Sequence, residues 1–121
     1  MQYSILLEDS DGISYFEDRV ADLPLVNFVP PAAPLNMSDP LAATGFVFLT
    51  LPAGWKGIRH RSPNRQIAAI LSGRFRVEAG SGEIRDFTAG DLFWMEDTTG
   101  AGHVSSAEGG VPATMVITQL A

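Results

Sequence analysis

The chain contains no cysteine. That absence excludes a disulfide framework, a thiolate nucleophile and any thiolate metal ligand, so a bound metal would need nitrogen and oxygen donors. Basic residues are scarce as well: eight Lys and Arg stand against fourteen Asp and Glu, a formal charge of −6. Affinity for nucleic acid comes largely from phosphate contacts and needs a basic face, as does an anionic membrane surface. Neither partner is expected. No apolar run approaches the ~20 residues needed to cross a bilayer. The stretch "MQYSILLEDSDG" has no basic leader, apolar run or small-residue cleavage site, so a cytoplasmic location is expected.

Helix signals are missing too, because no stretch offers a capped segment of ordinary helical length. What is present is period-2 alternation rich in Val, Ile, Phe and Thr, the mark of half-buried strands. It runs through "SYFEDRVAD", "TGFVFLTL", "RQIAAILS", "GRFRVEA", "EIRDF", "GDLFWME" and "ATMVITQL", with "PAG", "AGSG", "TAGD" and "AEGGVP" between them. Turn signals about every ten residues predict an all-β sandwich or barrel. At 121 residues the chain is long enough for one core and too short for two.

The segment "ADLPLVNFVPPAAPLNMSDPLAATG" holds five of the eight prolines and no Lys or Arg. Proline removes ladder donors and favours extended edges, so residues 1–42 are expected to form an N-terminal strand and a Pro-rich arm packed on a β-barrel of residues 43–121. Leu23, Leu25, Val26, Phe28 and Leu35 in it need cover, from the same chain or from a second copy. "VEAGSGEIRDF" predicts a tight hairpin, with Phe75 and Val77 on one face and Gly80 and Gly82 permitting positive φ at the turn. Arg74, Arg76 and Glu78 then form a solvated face.

Only two histidines occur, His60 and His103. The spacing Gly54, five residues, His60, one residue, Ser62, three residues, Gln66, six residues, Gly73 resembles the first motif of the cupin superfamily, with Ser62 and Gln66 where a second His and a Glu usually stand. "AGDLFWMEDTTGAGHVSSA" is similar to the second motif, with Gly90 opening it and Gly100 three residues before His103. The resemblance covers residues 43 to 119. It implies a single-domain, cupin-like jelly-roll barrel of antiparallel strands whose interior is lined by alternate residues. Its ligand set, carried onto this chain, is His60, Gln66 and His103 around a divalent transition metal such as Zn, Fe, Ni or Mn, with no organic cofactor.

That set carries no negative charge. Glu96 or Asp97 could supply it or act as acid/base, since a carboxyl in a cleft can be tuned toward working pH. Without a clear carboxylate ligand the two-His-one-carboxylate pattern of iron oxygenases is weakened, and a Lewis-acid lyase or isomerase asks less. The alternative is a metal-free barrel that binds or senses a small molecule. Alternation turns Ser62 into the pocket with His60, and Arg59 and Arg61 outward. Trp55, Phe48 and Met95 are further expected pocket residues, and Lys56 stands near its mouth. Partners are a small organic molecule and a second copy of the chain in a homodimer.

Overall fold

The computed structural model describes residues 1–121 and contains eleven strands and no helix, hence none long and apolar enough to cross a membrane. Strands β1 (Gln2–Glu8), β2 (Ser14–Val20), β5 (Ala43–Leu51), β6 (Gln66–Ser72), β9 (Leu92–Met95) and β11 (Ala113–Leu120) form a six-stranded sheet in the order β2-β1-β9-β6-β11-β5. Strands β7 (Arg74–Glu78), β8 (Ile84–Phe87) and β10 (Val104–Glu108) form a second sheet ordered β10-β7-β8, and the short β3 (Leu25–Val26) and β4 (Leu35–Asn36) pair in the arm. The ladders are antiparallel except where β1 runs parallel to β9. That parallel pair departs from the all-antiparallel expectation. It arises because the N-terminal hairpin slots beside β9 from across the chain.

The two larger sheets share one core. Ala68 and Ile70 of β6, Phe93 and Met95 of β9, and Met115 and Ile117 of β11 meet Phe75, Val77 and Phe87 of the smaller sheet. Each fully buried side chain of this kind contributes roughly 1.5–3 kcal/mol. Phe87 stacks on Phe93 with ring centroids 4.7 Å apart. The alternation of β6 is strict up to its end: Gln66, Ala68 and Ile70 are buried and Ile67 and Ala69 only half so. Gln66 thereby falls on the interior face.

The hairpin of β7 and β8 forms in the expected register, Phe75 opposite Phe87. Gly82 takes φ +94° at its turn, whereas Gly80 instead gives its N–H to Ser14 Oγ at 2.7 Å. On the outer face Arg76 pairs with Asp86 at 2.8 Å.

The first twenty residues are part of the core sheet, with Leu6 and Phe16 buried. Residues 21–42 lie outside it, and Leu23, Met37 and Leu41 line a hollow of about 330 Å³ with Tyr3, Ile67 and Trp94 on the outer face of the large sheet. Leu25 and Phe28 stay exposed.

Candidate functional site

His60 sits in the connection from β5 to β6, and His103 immediately before β10. The two exchange backbone hydrogen bonds, His60 N–H to His103 O at 3.1 Å and His103 N–H to His60 O at 2.9 Å. Such a directly opposed pair sends both side chains to the same side of the ladder. The imidazole centroids are consequently 5.3 Å apart. Gly102 makes the close approach possible: it holds φ +83°, and a Cβ there would collide with the His60 carbonyl.

Each ring is anchored through Nδ1. His60 Nδ1–H donates to Ile58 O at 2.9 Å, and His103 Nδ1–H donates to Asp97 Oδ2 at 2.5 Å. Asp97 is fully buried, and its other oxygen accepts from Ser62 Oγ at 2.7 Å. The Ser62 N–H donates to the Asp97 carbonyl at 3.0 Å as well. No fully buried side-chain nitrogen or oxygen lacks a partner. His103 is 2% exposed and its Nε2 has no protein partner, so that nitrogen is reached from a cavity.

The cavity has a volume of about 290 Å³ and is lined by His60, Ser62, Gln66 and His103 together with Trp55 and Met95. Val47, Leu49 and Leu51 of β5 and Met115 and Ile117 of β11 complete its apolar wall. Gln66 Nε2 lies 3.6 Å from Met95 Sδ, which leaves the Gln66 amide oxygen without a protein donor. Since no fully buried side-chain oxygen lacks a partner, this one is open to the cavity that Gln66 lines.

Six of the expected residues, His60, Ser62, Gln66, His103, Trp55 and Met95, thus converge on one space. Phe48 does not join them. It is 80% exposed, because β5 turns Val47 and Leu49 inward and leaves the alternate set, Phe46 and Phe48, on the outside. Glu96 is also outside: Arg65 clamps both its oxygens at 2.7 and 2.9 Å, and Trp94 Nε1–H donates to it at 2.8 Å. The Arg65 hydrogen bond is the main reason its carboxyl is held below the usual range, against the opposing effect of burial. Asp97 is inside, but behind His103 rather than facing the cavity. Parity explains both, since Met95 and Asp97 share one face of the chain and Trp94 and Glu96 the other.

The basic cluster faces away, as alternation required. Arg59 reaches Gly102 O at 3.1 Å and Arg61 reaches Thr99 O at 3.3 Å. Lys56 pairs with Ser106 through the backbone and lines a small groove with Arg76 and Glu108, not the cavity mouth. The residue that sequence reading passes over is Glu8. Its carboxylate accepts from Thr99 N at 3.1 Å, Thr99 Oγ1 at 2.6 Å and Gly100 N at 2.6 Å, pinning the loop that carries Asp97 and His103. A contact across about ninety residues leaves no local pattern to read. Another hollow of about 330 Å³ lies by Gln2, Ser4 and Asp91. Its acids are committed, Asp18 to Arg85, Asp86 to Arg76 and Asp91 to Thr88.

His60 and His103 are the residues that could hold a metal ion here. A metal at ordinary Zn–N distances of about 2.0–2.1 Å in tetrahedral geometry puts two ring centroids about 5 Å apart, close to the spacing seen. Metal-bound histidines ordinarily donate the other ring N–H to a carboxylate or a backbone carbonyl, and here one does each. Nowhere do three His, Asp or Glu side chains converge in a metal-holding group, so a third protein donor would be the Gln66 amide oxygen.

The chain matches no protein-family model and no curated protein sequence. Solved structures similar to it include protein NMB1881 from Neisseria meningitidis, at 12% identity and TM-score 0.46, covering 63% of this chain and 72% of that one. An ethanolamine utilization protein Q from Salmonella typhimurium LT2 is similar at 11% identity and TM-score 0.36, covering 99% of this chain and 95% of that one. At these scores neither likeness carries a conclusion about this chain.

Proposed function

We propose that the chain is a small cupin-like protein that binds a small organic molecule in the 290 Å³ cavity, with a divalent transition metal held by His60, His103 and the Gln66 oxygen. The observation that carries this reading is the paired anchoring of both imidazoles through Nδ1, which leaves two Nε2 atoms on rings 5.3 Å apart. When bound, the metal would supply Lewis acidity, suited to polarising a carbonyl or activating a water in a lyase or isomerase reaction.

The chain's own residues have separate tasks. Asp97 fixes the His103 tautomer and ring orientation, and Ser62 holds Asp97 in place. Trp55, 37% exposed, stands at the mouth, while the apolar wall keeps water from the reacting end. Neither Glu96 nor Asp97 touches the cavity, and both imidazoles are taken up as ligands, so the acid/base role falls to water.

The neutral donor set favours a second reading, a metal-free module that binds through hydrogen bonds from His60, His103 and Gln66. Elemental analysis of the untagged protein, beside His60→Ala and His103→Ala, separates the two. Near-stoichiometric metal in the wild type, lost in both variants, is expected. No metal even after incubation with Zn, Fe, Ni or Mn would leave the metal-free reading.

A further inference from the structure

We infer that the ligand is an apolar molecule with one short oxygen-bearing head, and not a sugar, a dicarboxylate or a phosphate ester. This rests on reading the cavity as the binding site. None of its fifteen lining residues is Asp, Glu, Lys or Arg. The three arginines nearest in sequence are spent outside, on Gly102 O, Thr99 O and Glu96, so no guanidinium is free to pair a phosphate or a second carboxylate.

The strand registers sort the wall into two zones. Gln119 of β11 lies opposite Gln66 of β6, and two residues along β11 Ile117 lies opposite Val47 and Ala68. Two further along, Met115 lies opposite Leu49. Gln66 and Gln119 therefore sit together at one end of this wall and aliphatic and thioether groups occupy the rest of it, while the histidines, Ser62, Ser105 and Phe75 line the cavity from other segments. A polyol would leave hydroxyls unpaired along that wall, each carrying a desolvation penalty. With a water occupying about 30 Å³ of liquid volume, the 290 Å³ space suits an organic molecule of about ten heavy atoms.

Trp55 reports on the cavity, and the other tryptophan, Trp94, stacks on Tyr3 at 5.6 Å on the outer face. In a Trp94→Phe background, Trp55 fluorescence and calorimetry would be followed with phenylacetone, 1-phenylpropan-2-ol and 3-phenylpropanoate, against glucose, succinate and inorganic phosphate. The expected result is at least tenfold tighter binding of the phenyl series, its members ranking the head as carbonyl, hydroxyl or carboxylate. Val47→Asp places a charge on the wall at a position 44% exposed, where folding tolerates it, and should weaken phenyl binding at least tenfold. Leu49→Gln, close in size, is the second wall variant and should act in the same direction. Glucose, succinate or phosphate binding as tightly as the phenyl series would overturn the inference and leave the cavity reading standing. So would phenyl binding indifferent to both wall variants. Silence of every compound would remove the cavity reading with it, and metal analysis of the same samples reports on the ligand set independently.

Discussion

Replacing Asp97 with Asn tests whether that buried carboxylate acts through His103. In the wild type both Asp97 oxygens accept, from His103 Nδ1–H and Ser62 Oγ–H, and neither meets solvent. The amide keeps the shape. If its oxygen faces His103, its NH2 faces Ser62, whose hydroxyl can turn to accept, so two hydrogen bonds survive and one charge is lost. Charge-assisted bonds contribute about 1.5–3 kcal/mol against about 1 for neutral ones. Across two bonds the stability loss should therefore be about 1–4 kcal/mol, read from the urea midpoint. Removing the partner of a ligating histidine typically weakens metal binding 10–100-fold, equivalent to about 1.4–2.7 kcal/mol. A competitive zinc titration against a chromophoric chelator measures it. Ser62→Ala is the control, since it leaves the His103 bond intact and should cost about 1.5–3 kcal/mol of stability with little change in zinc affinity. Wild-type zinc affinity in Asp97→Asn would refute the reasoning, as would an equal loss of affinity in Ser62→Ala.

Acid should release the loop that carries the site. Burial pushes the Glu8 carboxyl up, but hydrogen bonds from Thr99 and Gly100 and the Arg61 charge outweigh it and hold it below the ordinary glutamate value. A carboxyl depressed on folding stabilises above its unfolded pKa, and that stability disappears as pH falls through the folded one, below the ordinary glutamate value. Hydrogen exchange at residues 99–102 should accelerate there in the wild type and be faster already at neutral pH in Glu8→Gln; identical profiles would contradict the role of Glu8. The homodimer we propose pairs along β5. That edge is bonded on one side only, to β11, and its nine residues carry no charge, whereas the opposite edge, β2, is guarded by Glu17, Asp18 and Arg19. Phe46 and Phe48 stand exposed on it, ring centroids 5.4 Å apart. Sedimentation should give twice the 13.0 kDa chain mass and shift toward monomer in Phe48→Lys; a monomeric wild type would contradict the pairing.

Seven strands were legible in the sequence because each has one wet face, and alternation then marks it. Strand β1 was not, since Ile5 and Leu6 are adjacent and both buried, one under each face of the sheet, which erases the period. Strand β10 hides for another reason: Ser105, Ser106 and Ala107 are all buried but too small and polar to register as an apolar stripe. Alternation also divides β5 correctly into two sets without saying which faces inward. The bulkier Phe46 and Phe48 look like the core set, yet the cavity takes Val47 and Leu49. His60 and His103 were legible through motif spacing, and the inward turn of Asp97 follows from its parity with Met95. The use of Asp97 behind His103 needed the fold, because it depends on the backbone pairing of two segments forty-three residues apart in sequence.

The central claim is that both imidazoles present Nε2 to one ligand. With only two histidines in the chain, a long-range proton–nitrogen correlation spectrum of the 15N-labelled rings, taken at mildly alkaline pH with and without zinc, reads it directly. The account predicts the Nδ1–H tautomer for both rings and a shift of both Nε2 resonances, complete at one equivalent of zinc. An Nε2–H tautomer in either ring, or one equivalent shifting one ring alone, would contradict it.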